Sequence, residues 1–127
     1  MKAAVGSFIW ADLTVPDAER IRDFYSAVVG FEHVSLDMGG YSDYCMNSPD
    51  DGQTKAGICH ALKGNKDLPP VWLIYFHVAD LDDSLKTLKE MGGEILSGPR
   101  AYGPGARYAI IRDPAGACCA LFQEATE

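Results

Sequence analysis

Two kinds of apolar spacing alternate along the chain, and they predict both the elements and their order. Phe8 to Leu13 is an apolar run of strand length. The stretch 17–29 that follows has apolar residues at helical spacing, with Asp17 placed to cap the helix and Gly30 placed to end it. The helix positions predicted to face inward are Ala18, Ile21, Phe24, Tyr25, Val28 and Val29, and those predicted to face solvent are Glu19, Arg20, Arg22 and Asp23.

Three further strands are predicted after this helix. They cover residues 31–36, 41–46 and 56–62, and a turn-rich segment at 47–52 separates the last two. The first half of the chain therefore reads strand, helix, strand, strand, strand.

The same order returns 63 residues later, so the chain contains an internal repeat. Val15 and Asp17 match Val78 and Asp80, and Gly30 matches Gly93. The second half predicts a strand at 71–78, a helix at 80–91 and strands at 94–96, 107–112 and 117–122, with a hairpin turn at 113–116. The inward positions of the second helix are Leu81, Leu85, Leu88 and Met91.

The repeat predicts an α+β fold of two tandem βαβββ modules, 1–63 and 70–127, joined by a short linker at 64–69. A module of this size cannot bury a sheet face alone, so the two are expected to form a single domain, 1–127. Each helix covers one sheet face. The other faces are expected to form a curved sheet around a small-molecule cavity.

Composition narrows the range of partners. The 127 residues are 47% hydrophobic and 23% charged, typical of a globular protein, and the net charge of −7 argues against nucleic acid or an anionic membrane as partner. No apolar run is long enough to cross a bilayer and no secretory segment is evident, so we expect a cytoplasmic protein. The four cysteines are expected to be reduced core thiols: Cys45, Cys59, Cys118 and Cys119.

Several short motifs carry a family resemblance. They are Ile9 to Asp17, Asp23-Phe24-Tyr25, Val28 to Phe31, Tyr75 to Asp80, Gly92-Gly93 and Asp113-Pro114-Ala115-Gly116. In this order and spacing the chain resembles the vicinal oxygen chelate superfamily, which contains glyoxalase I, bleomycin-resistance proteins and extradiol dioxygenases. The resemblance implies paired βαβββ modules around a small-molecule site, often with one divalent metal.

The metal-ligand positions implied by the resemblance fall on four residues without suitable donors: Trp10, Gly57, Leu73 and Ala120. Divalent metals prefer imidazole, carboxylate or thiolate ligands. A shift of one residue in the alignment gives Ala11, Ile58, Ile74 and Leu121, whose side chains also lack metal-binding donors. We therefore expect no metal at the usual site and no other cofactor.

Strand alternation places the candidate site residues on shared faces. Trp10 and Asp12 share one face of the first strand, and Leu73, Tyr75 and His77 share one face of its counterpart. Together with Gly57 and Ala120 these residues are expected to line the ligand site. Asp12 and His77 are the candidate acid or base, although a structural hydrogen bond is an open alternative for each.

Other side chains carry weaker signals. The candidates for a lesser part in the lining are Tyr41, Tyr44, Cys45, Cys59 and Cys118. His33 and His60 are expected to have surface or packing roles. The loop 98–107, with Arg100, Tyr102 and Arg107, either covers a site or simply connects two strands.

Two functional hypotheses remain open, with a third behind them. The first is metal-independent binding of a small organic molecule in an aromatic-lined pocket. The second is a lyase or isomerase that moves a proton next to a carbonyl, with Asp12 or His77 as acid or base. The third is a metal-dependent glyoxalase or dioxygenase with displaced ligands. We expect a homodimer in each case, because a second copy can cover an exposed sheet face or edge.

Overall fold

The computed structural model describes residues 3–125, so residues 1, 2, 126 and 127 of the predicted domain lie outside the described range. The first half contains β1 (Phe8–Val15), α1 (Ala18–Val29), β2 (Glu32–Asp37), β3 (Ser42–Asn47) and β4 (Thr54–His60). The second contains β5 (Trp72–His77), α2 (Leu81–Glu90), β6 (Glu94–Ala101), β7 (Arg107–Arg112) and β8 (Cys118–Gln123). The predicted α+β fold of two βαβββ modules is confirmed.

Contacts divide the described chain into two compact units. The first unit is residues 11–72, and the second unit is residues 3–10 together with 73–125. The division falls within β1, after Trp10, and a short 3₁₀ helix (Lys63–Asn65) follows β4. No helix of the described chain is both long enough and apolar enough to span a membrane.

In the first unit, the strands lie in the order β1-β4-β3-β2, with β1 parallel to β4 and the other pairs antiparallel. Asp12 is the register partner of Gly57, and Leu13 that of Ile58. Because side chains alternate along a strand, one sheet face carries Leu13 and the other carries Asp12. The Leu13 face packs on α1 through a core of Leu13, Val15, Ala18, Tyr44, Met46 and Ile58.

The second unit repeats this arrangement with the order β5-β8-β7-β6. Tyr75 is the register partner of Ala120, which matches the Asp12–Gly57 pair after the shift of one repeat. The core against α2 consists of Leu81, Leu85, Ala109 and Ile111. Sequence repeat and strand register therefore agree.

Helix α1 buries less of its surface than its periodicity predicts. Phe24, Val28 and Val29 were predicted to face inward and are 53%, 64% and 58% exposed. The contact with the sheet is a narrow stripe that includes Ala18, Ile21 and Tyr25. Arg22, predicted to face solvent, joins this stripe, and its guanidinium lies 4.7 Å from the centre of the Tyr44 ring. On α2 the prediction for Met91 is also wrong, because Met91 is 72% exposed.

The two helices begin differently despite the repeat. The Asp80 carboxylate accepts a hydrogen bond from the Asp83 amide at 3.1 Å and caps α2. Asp17 makes no such bond, so its predicted role as a side-chain cap is wrong. Gly30 ends α1 with φ of 97°, as predicted, since a positive φ favours glycine.

Strand β6 is longer than predicted. Register shifts on either side of Ser97 let its pairing with β7 continue to Ala101, where the sequence predicted an end near Leu96. The predicted turn at 113–116 is confirmed, because the Asp113 carboxylate accepts hydrogen bonds from the amides of Ala115 and Ala117. The four cysteines are free thiols, as predicted, but they are half-buried rather than fully buried in the core.

Candidate functional site

One face of the second unit's sheet lies away from α2, and cross-strand pairing defines its side chains. His77 pairs with Phe122, Phe122 with Tyr108, and Tyr108 with Arg100. Paired residues point to the same side of a sheet, so these four side chains form a row across it. The row joins a histidine to an arginine through two aromatic rings.

A second row runs beside the first. It consists of Tyr75, Ala120, Ile110 and Ser97, which are 8%, 0%, 2% and 7% exposed. Leu73, two residues before Tyr75 on β5, is also fully buried. The predicted lining residues Leu73, Tyr75, His77 and Ala120 therefore share one face.

Aromatic contacts connect side chains on this face and on the loop beside it. The centres of the Tyr75 and Tyr108 rings lie 6.0 Å apart, and Tyr102 packs edge-on against both Tyr108 (6.4 Å) and Phe122 (5.7 Å). Such ring pairs offer flat apolar surface together with phenol hydroxyls. We call Tyr75, Tyr102, Tyr108 and Phe122 the aromatic cluster.

The sequence identified Tyr75 as lining and placed Tyr102 in a loop, but it missed Tyr108 and Phe122. Strand alternation could have identified both, because each lies two residues from another residue on the same sheet face. Phe122 shares a strand face with Ala120, and Tyr108 shares one with Ile110. Tyr44, a weaker candidate, belongs instead to the core against α1 because it pairs with Ile58 on the Leu13 face.

The loop after β6 is held in place by backbone contacts. The Tyr102 amide donates a hydrogen bond to the Ala106 carbonyl at 2.8 Å, which closes the turn between β6 and β7. At Gly98, φ is +92° and an added Cβ would lie 2.9 Å from the Tyr108 carbonyl oxygen. Glycine is therefore required where β6 crosses close to Tyr108.

A histidine and a carboxylate lie together at one end of the first row. Nε2 of His77 is 3.5 Å from Oε1 of Glu124, and His77 is only 5% exposed. The same Glu124 oxygen accepts the Ala3 amide at 2.7 Å. A cavity of about 230 Å³ lies beside them, lined by Ala3, Val5, His77, Val78, Ala79, Gln123 and Glu124.

Glu124 was not recognised from the sequence. It directly follows Gln123, the last residue of β8, and Gln123 is fixed because its Oε1 accepts the Leu81 amide at 2.7 Å. That bond ties the end of β8 to the start of α2. The strand end, rather than a sequence motif, brings Glu124 to His77.

Two of the arginines around this sheet are paired with carboxylates. Arg107 donates two hydrogen bonds to Asp82, at 3.0 and 3.1 Å, and this bond is the main reason that the pKa of Asp82 is lowered. Arg112 is paired with Glu94. Arg107 is thus engaged at the surface of α2, whereas Arg100 is half-buried in the row with Tyr108 and Phe122.

The first unit has a polar face of its own, away from α1. It carries Asp12, Thr14, Asp43, Cys45 and Cys59. Asp12 is 9% exposed and Thr14 is 4% exposed. Burial raises the pKa of the Cys59 thiol, and the nearby carboxylates of Asp12 and Asp43 raise it further. A thiol with a raised pKa is a poor nucleophile, so Cys59 is not an activated cysteine.

The remaining histidines pack within the first unit. His60 contacts the rings of Tyr41 and Tyr44, and its Nδ1 lies 3.5 Å from the Asp43 carboxylate. The sequence showed no acidic partner near His60 because strand pairing supplies it. Nδ1 of His33 lies 3.2 Å from the Ser26 hydroxyl of α1.

The residues at the metal-ligand positions implied by the resemblance do not fit a divalent cation. Leu73 and Ala120 are fully buried hydrocarbon side chains, Gly57 has none, and the indole of Trp10 offers no lone pair suited to a metal. Within residues 3–125, no group of three His, Cys, Asp or Glu side chains is arranged to hold a metal ion.

The comparison with known families matches this architecture. The sequence model described as Glyoxalase/Bleomycin resistance protein/Dioxygenase superfamily matches residues 7–118. The chain belongs to this superfamily. The resemblance drawn from the short motifs is thereby confirmed.

A curated relative from this comparison is the anthracycline biosynthesis protein DnrV of Streptomyces peucetius. It is 29% identical over 132 residues, which cover 95% of this chain and 48% of DnrV. The chain spans about half the length of the curated relatives it matches.

Solved structures of the same fold include methylmalonyl-CoA epimerases. A variant of the Streptomyces coelicolor enzyme, in complex with 2-nitronate-propionyl-CoA, is 19% identical with a TM-score of 0.60, covering 97% of each chain. The enzyme of Mycobacterium tuberculosis is 16% identical with a TM-score of 0.59, covering 99% of this chain and 93% of its own. At these identities the likeness shows the fold.

Proposed function

We propose that this protein binds a small organic molecule on the aromatic cluster, without a divalent metal at the superfamily's usual ligand positions. The observation that carries this proposal is the set of contacts among Tyr75, Tyr102, Tyr108 and Phe122. Small-molecule sites are lined mainly by apolar and aromatic side chains with a few polar groups. The cluster provides that surface, and His77 and Arg100 provide polar groups at its two ends.

Exposure supports the same proposal. Within the aromatic cluster, Tyr102 is 65% exposed although its ring packs against two others, while Tyr75 is 8% exposed. An exposed ring packed on two half-buried rings leaves apolar surface open to solvent. A flat ligand would gain by covering that surface, since burying apolar area contributes about 25 cal/mol per Å².

The experiment is a fragment titration followed by NMR on the isotopically labelled protein. Ring compounds should shift the amide signals of Tyr102, Tyr108 and Phe122, with the protein prepared in the presence of a chelator. Tyr108→Ala should weaken binding by about tenfold or more, because it removes the ring shared by two contacts. Phe24→Ala on α1 is the control, because it removes a ring that is 53% exposed and lies outside the aromatic cluster.

Three results would contradict the proposal. One is binding that survives Tyr108→Ala unchanged, another is equal weakening by Phe24→Ala, and the third is binding only after a divalent metal is added. Each would show that the ligand contacts something other than the aromatic cluster.

A second candidate function, an isomerase, is favoured by the pair of His77 and Glu124. The imidazole could take a proton from carbon next to a carbonyl, and return of a proton to the opposite face of that carbon would invert it, so that nothing else is consumed. Glu124, 3.5 Å from Nε2, could orient the ring. Methylmalonyl-CoA, the ligand in one epimerase structure of this fold, is a reasonable probe.

Deuterium uptake tests this second function. Methylmalonyl-CoA incubated with the protein in D₂O should gain deuterium at the carbon between its carbonyl groups, and His77→Gln should abolish the gain. His33→Gln is the control, since His33 lies at the surface against α1. Absence of uptake with the unmodified protein would rule out isomerase activity on this substrate.

A further inference from the structure

Arg100 differs from the other two arginines of the second unit. Arg107 is bonded to Asp82 and Arg112 to Glu94, whereas Arg100 makes no ion pair with any residue in the described range, 3–125. Its residue is half-buried, and the chain as a whole carries a charge of −7. A guanidinium forms its strongest hydrogen bonds with a carboxylate, and within residues 3–125 Arg100 has no such partner.

Cross-strand pairing fixes where Arg100 lies. Its register partner is Tyr108, and Tyr108 pairs with Phe122. Its side chain therefore lies on the same sheet face as the aromatic cluster, away from α2. Three strand spacings of about 4.8 Å separate the backbone of Arg100 from that of His77, so the row is about 14 Å wide.

Backbone contacts on either side of Arg100 restrict its position. Gly98 lies against the Tyr108 carbonyl, and two residues after Arg100 the Tyr102 amide is bonded to Ala106. Arg100 is thus held between two fixed points of the β6–β7 hairpin. Backbone contacts on both sides therefore fix the position of Arg100 on the edge strand of this sheet, beside Tyr108.

We propose that Arg100 is a specificity-determining residue for carboxylate ligands, so that the small molecule bound on the aromatic cluster is an organic acid with a flat ring. This inference rests on the proposed binding function. The guanidinium would hold the carboxylate through two parallel hydrogen bonds, and the rings of Tyr108 and Phe122 would contact the ligand's body. The ligand supplies the negative charge that the described chain does not place beside Arg100.

The test uses pairs of probes that differ only in charge. Benzoate, 2-naphthoate and indole-3-carboxylate are compared with their neutral carboxamides in NMR titrations of the whole chain. Hydrogen bonds to a charged group predict that each acid binds about tenfold more tightly than its amide, or more. Arg100→Gln should remove this preference, and Arg100→Lys should retain part of it.

Arg107→Gln is the matched control, because it removes the same charge from the same hairpin but from a side chain bonded to Asp82. It should leave the preference for acids intact. The reverse pattern, or an equal effect of both variants, would reduce Arg100 to a general contribution to net charge and overturn the inference.

The two proposals fail in different ways. If acids and amides bind equally well and shift the Tyr108 and Phe122 signals, the Arg100 inference is wrong and binding on the aromatic cluster stands. If neither acids nor amides bind, the proposed function fails and takes the inference with it.

Discussion

Nε2 of His77 lies 3.5 Å from Oε1 of Glu124, where His77 ends β5 and Glu124 directly follows the neighbouring parallel strand β8. The same Glu124 oxygen also accepts the Ala3 amide. One carboxylate therefore links the final strand to a buried imidazole and to the start of the described chain. This arrangement makes the pair a structural unit whether or not it also moves protons.

That link can be measured as a coupling energy. His77→Gln and Glu124→Gln should each destabilise the protein, and the double variant should lose less than the sum of the two. The coupling expected for two side chains in contact is at least about 0.5 kcal/mol, obtained from urea unfolding of the four proteins. Strictly additive losses would show that the two side chains do not interact in solution.

The two helix starts give a prediction from the repeat itself. Asp80→Ala should lower the free energy of unfolding by about 1 kcal/mol, because it removes the hydrogen bond to the Asp83 amide. Asp17→Ala, at the equivalent position, should cost less than about 0.5 kcal/mol, because Asp17 makes no cap bond. Equal losses in thermal or urea unfolding would contradict this difference.

Cys59 gives a prediction for alkaline pH. Burial raises the pKa of its thiol in the folded protein, with Asp12 and Asp43 adding to the effect. The neutral thiol therefore favours the folded state, and this contribution is complete below the ordinary thiol pKa of about 8.5 and is lost as pH rises above it. The unfolding free energy should fall by up to about 1.4 kcal/mol per pH unit there.

Cys59→Ala isolates that effect from the titration of other groups. When the pH is raised from about 7.5 to about 9.5, the unfolding free energy of the unmodified protein should fall by more than that of the variant. Urea unfolding at the two pH values measures both losses. Identical losses would mean that the folded protein leaves the thiol as free to ionise as the unfolded chain does.

Gly98 connects the loop geometry to stability. Gly98→Ala should destabilise the protein by about 2–4 kcal/mol, because it combines a positive φ with a contact of 2.9 Å to the Tyr108 carbonyl oxygen. Gly103→Ala is the matched control, since its φ is +65° and no atom lies within 4 Å of the added Cβ. It should cost only about 1–2 kcal/mol. The two variants are compared by thermal unfolding, and equal costs would refute the close contact.

Particular residues show how much of the fold could be predicted from the sequence. The repeat from Asp17 to Asp80 predicted two βαβββ modules, and the register pairs Asp12–Gly57 and Tyr75–Ala120 repeat with the same spacing. On α1 the helical periodicity predicted that Phe24 and Val28 face inward, but both side chains are exposed. A period describes which residues share a face of the helix, but not how wide a stripe the sheet covers.

Only part of the candidate site could be predicted, because strand alternation shows which residues share a face but not which distant residues meet there. Alternation on β5 placed Leu73, Tyr75 and His77 on one face, and the structure has them there. Glu124 was missed because its contact with His77 joins residues far apart in the chain. Arg100 could be named as a cation, but its place beside Tyr108 depends on two register shifts in β6 that no local pattern encodes.

The sequence by itself determined the order of elements, the duplication, the superfamily and the four residues without donor groups at the usual metal positions. These follow from local spacing and side-chain chemistry, which do not depend on distant parts of the chain. Tertiary structure alone decided the contacts of Tyr102 with Phe122 and of Glu124 with His77, and the lack of an ion pair for Arg100 within residues 3–125. Strand register and bulges set those relationships, because they arise from pairing between separate segments of the chain.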